Sequence, residues 1–118
     1  MLALNYLNLY CSLSNHSMTL IAFGINHKTA PIELREKIAF SPDAIVQALA
    51  SLRQETGATE SVILSTCNRT EVYAQVENKK SNTISTWLAD FHGVQPKELQ
   101  DNSYLYIDQQ AAIHIMRV

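Results

Sequence analysis

The sequence predicts an α+β fold, a ferredoxin-like βαββαβ sandwich whose antiparallel sheet carries its helices on one face. Three observations lead there. Apolar runs of strand length recur at 19–26, 61–66, 71–77 and 104–107, and helical patterns separate the first from the second and the third from the fourth. Between the second and third runs lie only a few residues, which makes them a hairpin. A chain of 118 residues reads as one domain, able to bury about two thirds of its unfolded surface.

In chain order, TLIAFGIN (19–26) is an apolar run bounded by polar residues, a buried first strand. His27 to Ala30 make a polar turn. Pro31 then opens a short helix, where its missing N–H costs nothing, and Leu34 and Ile38 share one side of it. A longer helix starts at Ser41, a good N-cap followed by Pro42 and Asp43, with Ile45, Val46, Leu49 and Leu52 as its buried stripe and Gly57 as its stop. After the hairpin, Ser81 can cap a third helix with apolar positions Ile84, Trp87, Leu88 and Phe91, ended by Gly93. Pro96 opens a minor helical turn, YLYI (104–107) is the last strand, and a further helix runs from Gln109.

Composition excludes several classes. Apolar content of 47% and charged content of 17% are those of a globular protein, not of a disordered or fibrous one. With a net charge of −2 and nine scattered Lys and Arg residues, bulk electrostatics would not draw in a nucleic acid, which would need a local patch. The two cysteines, Cys11 and Cys67, sit in unlike settings, so a disulfide framework is not expected and a reducing cytoplasm is. Residues 1–17 are apolar but lack the basic start and cleavage pattern of a secretory signal, and are too short and too polar to span a membrane. They read as an extension outside the core, with Met18 the start of the folded unit at 18–118. No spacing of His and Cys suggests a metal site, and Gly24, Gly57 and Gly93 are too far apart for a dinucleotide-binding loop.

Chemistry is concentrated at Thr66-Cys67-Asn68-Arg69, where the hairpin breaks. A thiolate needs a nearby positive charge to be populated near neutral pH, and Arg69 is two residues away. The plain alternative is a small hydrophobe ending a core strand. Arg69 can clamp a carboxylate with its two-donor fork, or simply pair at the surface with Glu71 or Glu77. Asn68 suits the left-handed backbone of a tight turn, and Thr66 and Thr70 could bind a ligand or satisfy loop backbone. His114, in AAIHIMRV, and His27, in NHKTAP, are each either packing residues or proton-transfer groups.

The words GINHKTAP (24–31), ELREKIAF (33–40), LSTCNRTEVY (64–73) and HIMRV (114–118) resemble the N-terminal catalytic domain of bacterial glutamyl-tRNA reductase, over Met18 to Val118. That family makes the first committed step of five-carbon tetrapyrrole synthesis. The resemblance implies that Cys67 attacks the ester joining glutamate to its tRNA, forming a thioester that NADPH reduces to glutamate-1-semialdehyde. It implies that Thr66, Asn68 and Arg69 line the glutamate pocket and that His114 assists catalysis. It further implies that NADPH is bound by a domain absent from this chain, which ends where the family continues. Glutamyl-tRNA, a homodimer formed through the missing C-terminal region, and the downstream aminomutase are the implied partners; no membrane is. The competing reading is a non-catalytic ferredoxin-like module that binds a ligand or a protein. A third expectation, haem binding at Cys67 or a histidine as feedback, has no attachment signature behind it.

Overall fold

A computed structural model of the chain describes residues 18–80 and 82–117. The leader, Cys11, the Ser81 cap and Val118 lie outside the described residues. Four strands, β1 (Met18–Asn26), β2 (Glu60–Ser65), β3 (Arg69–Glu77) and β4 (Tyr104–Ile107), form one sheet in the order β2-β3-β1-β4, every neighbouring pair antiparallel. This is the ferredoxin-like arrangement: the first crossover leaves a gap that β3 fills, and the second passes over β1 to its free edge. The helices are α1 (Ile32–Ile38), α2 (Pro42–Thr56), α3 (Thr83–His92), α4 (Pro96–Asp101) and α5 (Gln109–Arg117).

Pleating sends successive strand residues to opposite faces, and the two faces are covered differently. Ile21, Phe23 and Ile25 of β1 and Val72, Ala74 and Val76 of β3 pack against Leu34, Ile38, Leu52, Ile84, Leu88 and Leu99, which come from α1 to α4. Those four helices lie on one face, as predicted. On the other face Leu20, Ala22 and Tyr73 meet Ala111, Ala112 and Ile115 of α5. The reversal into α5 is made by Asp108, whose φ of 53° is left-handed. Its N–H donates to the Leu20 carbonyl (2.8 Å), and its carboxylate accepts the Leu20 N–H (3.0 Å). Aspartate tolerates that backbone well.

Local expectations mostly hold, with three corrections. Gly57 (φ 74°) and Gly93 (φ 68°) end α2 and α3 in left-handed caps, and Leu34 and Ile38 are buried. Ser41 occupies the N-cap of α2, but its hydroxyl makes no capping bond; its carbonyl accepts the Ala44 N–H instead (3.0 Å). Val46 is 77% exposed, because the buried line runs through Ala48, Leu52 and Thr56, with Ile45 partly buried above them. Val46 is about 100° round the helix from Ile45 and so leaves that line. Asn68 does not have left-handed backbone: among the described non-glycine residues only Asp108 has positive φ.

Candidate active site

The link between β2 and β3 is built by Thr66. Its N–H donates to the Arg69 carbonyl (2.8 Å), and its hydroxyl oxygen accepts the N–H groups of Asn68 and Arg69 (3.2 Å each). A hydroxyl that replaces a backbone acceptor in this way holds a tight turn without glycine. Thr66, Cys67 and Asn68 are exposed at its tip, and Cys67 is a free thiol. It is therefore not a core residue closing a strand. Thr70, the next residue inward, is buried and shares a hydroxyl hydrogen bond with Ser65 (3.3 Å), whose oxygen also accepts the Phe40 N–H (2.9 Å).

Arg35 of α1 reaches over from the helical face, its Nη1 donating to the Cys67 carbonyl (3.1 Å) and its Nε to the Ala30 carbonyl (3.3 Å). The 26–30 turn is closed by Asn26, whose side-chain oxygen accepts the N–H groups of Lys28 (2.9 Å) and Thr29 (3.1 Å). Asn26 pairs with Arg69 in the sheet. The three words around Asn26, Arg35 and Cys67 thus meet at one end of the sheet. His27 is exposed in that turn.

Behind the tip, on the α5 face, Glu71 is fully buried. Its Oε1 accepts the Tyr73 hydroxyl (2.7 Å) and Arg69 Nη1 (3.4 Å); its Oε2 accepts the Tyr104 hydroxyl (2.7 Å) and is hydrogen-bonded with His114 Nε2. Room for the carboxylate comes from Gly24, which lies between Glu71 and Tyr104 in the sheet register. A Cβ there would stand 2.5 Å from the Thr70 carbonyl oxygen and 2.8 Å from Glu71 Cγ. Burial pushes the Glu71 carboxyl up, but the hydrogen bonds from Tyr73, Tyr104 and His114, and the His114 charge, outweigh it and hold the group below its ordinary value. Burial and the bond to Glu71 push the Tyr73 and Tyr104 phenols up, so both remain donors. The His114 ring stacks on Tyr106, with centroids 4.6 Å apart.

Residues 23–118 match the family model described as glutamyl-tRNA(Glu) reductase, N-terminal domain. The chain belongs to that family. It is 66% identical over 101 residues to a glutamyl-tRNA reductase of Pseudoalteromonas atlantica, covering 86% of this chain and 24% of the relative. With the Pseudoalteromonas translucida glutamyl-tRNA reductase the identity is 52% over the same length and coverage. Among solved structures, glutamyl-tRNA reductase from Methanopyrus kandleri superposes with a TM-score of 0.60 at 28% identity, over 84% of this chain and 21% of that one. The chain spans about a quarter of the length of the curated relatives it matches.

In this domain the sequence-predicted site residues divide into two groups. Thr66, Cys67, Asn68 and Arg69 form the tip, and His114 lies behind it, joined through Glu71 and Arg69. Sequence reasoning missed Glu71 as a buried centre, along with Tyr73, Tyr104, Gly24 and Arg35. One signal was available: a glycine inside a strand marks a close approach, and Gly24 interrupts an otherwise bulky run. Two grooves lie away from the tip, one of about 540 Å³ lined by Ser51, Glu55, Trp87 and Asp90, the other of about 220 Å³ beside Phe23 and Leu105. Neither includes Cys67 or His114.

Gly24 is packed against Glu71, and Gly57 and Gly93 close the C-termini of helices, so none forms a phosphate cradle at a helix N-terminus. No cluster of three His, Cys, Asp or Glu side chains suited to a metal occurs among the described residues. No helix among them is long and apolar enough to cross a membrane.

Proposed function

We propose that this domain performs the acyl-transfer half of glutamyl-tRNA reduction, in the first step of five-carbon tetrapyrrole synthesis. The Cys67 thiolate attacks the carbonyl carbon of the ester that joins glutamate to the terminal ribose of tRNA. An S–C bond forms, the C–O bond to the ribose breaks, the ribose oxygen takes up a proton, and a glutamyl thioester remains on Cys67. A thioester is easier to reduce to an aldehyde than a carboxylate, which gives the covalent step its purpose. NADPH would be held outside this chain, and the reduction to glutamate-1-semialdehyde is not assigned to any residue here. The implied dimer and the aminomutase contact belong to the same reading of the whole protein, as does a cytoplasmic setting.

The single observation that carries the reading is an exposed, unpaired thiol on a turn held from both sides, by Arg35 at its carbonyl and by Thr66 beneath it. Arg69 is one third exposed in its side chain (32%), and only one guanidinium nitrogen is engaged by Glu71. The remaining donors can take the substrate's γ-carboxylate. Thr66 and Asn68 contribute the rim of that pocket, and His114 supplies acid–base help. The test is release of free tRNA from glutamyl-tRNA. The wild-type chain is expected to release it and Cys67→Ser is not; equal release by both would overturn the assignment.

A further inference from the structure

We propose that Glu71 is a positioning residue that fixes His114 as its Nε2–H tautomer, leaving Nδ1 as the ring atom that exchanges protons with the substrate. The inference rests on the acyl-transfer reading for its last clause and on geometry for the rest.

An ionised carboxylate only accepts hydrogen bonds, at about four lone-pair positions. Glu71 has four partners: two phenols, a guanidinium nitrogen and His114 Nε2, two on each oxygen. Both phenols and the guanidinium donate to it, because a carboxylate offers them nothing but acceptors. The same holds for the ring nitrogen that shares Oε2 with Tyr104. His114 Nε2 must therefore donate. In the opposite tautomer a nitrogen lone pair would face an oxygen lone pair in a site with no solvent, because Glu71 is fully buried.

A neutral imidazole has one N–H, so its other nitrogen keeps a lone pair. His114 Nδ1 has no hydrogen-bond partner among the described residues, yet the one buried side-chain polar atom lacking a partner there is His92 Nε2. The His114 side chain is one fifth exposed (20%), against 0% for Glu71. The ring is flanked by aromatic neighbours, stacked on Tyr106 at 4.6 Å and tilted against Tyr104 at 5.7 Å. Gly24 is part of the same arrangement, since any larger residue would take the volume that the Glu71 side chain occupies.

Long-range proton–nitrogen correlation spectra of the 15N-histidine-labelled chain test this directly, at about pH 8.5, above the ordinary histidine range. The His114 signals, identified by their loss in His114→Gln, should show protonated Nε2 and bare Nδ1. Glu71→Gln presents an amide that can donate as well as accept, so the Nδ1–H form should appear, and acylation of Cys67 by glutamyl-tRNA should slow by about 10²-fold. Tyr104→Phe removes a donor from the same carboxylate oxygen but leaves the acceptor, so the tautomer should stay as in wild type; a merely structural network would loosen in both variants. A wild-type Nδ1–H signal overturns the proposal, as does a Glu71→Gln chain that keeps Nε2–H or is acylated at the wild-type rate. Should Glu71→Gln fail to fold, the wild-type and Tyr104→Phe spectra decide alone. A wild-type chain with the expected tautomer but no acylation overturns the acyl-transfer reading, and the substrate role of Nδ1 with it.

Discussion

On the face covered by α1 to α4, β1 and β3 present Ile21, Phe23, Ile25, Val72, Ala74 and Val76; one residue along, under α5, the same strands present Ala22, Gly24, Glu71, Tyr73 and Gln75. The first face is a buried apolar core. The second keeps the central strand small at Ala22 and Gly24, and the space is taken by Tyr73, Glu71, Tyr104 and Tyr106 from its neighbours. Pleating alone separates the two surfaces, at a distance of one residue. The apolar face stabilises the sheet by burial, and that stability tolerates a buried carboxylate on the other side, whose desolvation is offset only by its full set of donors.

The comparison predicts that substitutions on the two faces separate stability from chemistry. Leu88→Ala, on the apolar face, should cost about 2–5 kcal/mol in denaturant titration while leaving Cys67 open to acylation under folding conditions. Glu71→Gln should cost less, about 1–3 kcal/mol. It should also change the acid limb of the stability curve. The folded Glu71 carboxyl sits below its ordinary value, so it stabilises the fold at neutral pH. That contribution is lost as pH falls through the ordinary glutamate range to the lower folded value. Wild type should lose stability across that window, and the Gln variant should lose less; parallel curves would contradict it. Gly24→Ala should also cost about 1–3 kcal/mol, through overpacking against Thr70 and Glu71. Removing the Arg35 bond to the Cys67 carbonyl, by Arg35→Ala, should cost about 1 kcal/mol.

Much of this fold was legible because its strands are short apolar runs between clear stops, and because Gly57 and Gly93 end helices where their backbone freedom is needed. The tip was legible too, since three polar residues around a cysteine break a hairpin conspicuously. The buried side of the site was not. Glu71 looks like a surface partner for Arg69 when only neighbours in sequence are considered. Its burial depends on Gly24 and Tyr104, which reach it only through sheet register. The side on which α5 packs was equally hidden, because it is set by the Asp108 reversal and its bonds to Leu20, not by the apolar pattern of the helix. Val46 was misplaced for a simpler reason: an apolar residue beside a buried stripe looks like part of it until the helix phase is known.

Cys67→Ser is the smallest change of all in stability, expected within about 0.5 kcal/mol because the side chain is exposed, and it should remove the covalent chemistry entirely. Peptide mapping by mass spectrometry, after incubating the chain with glutamyl-tRNA and quenching in acid, places the adduct. A glutamyl mass on the peptide containing Cys67, absent from Cys67→Ser, is the predicted result; an adduct elsewhere, or none in the wild-type chain, would contradict it.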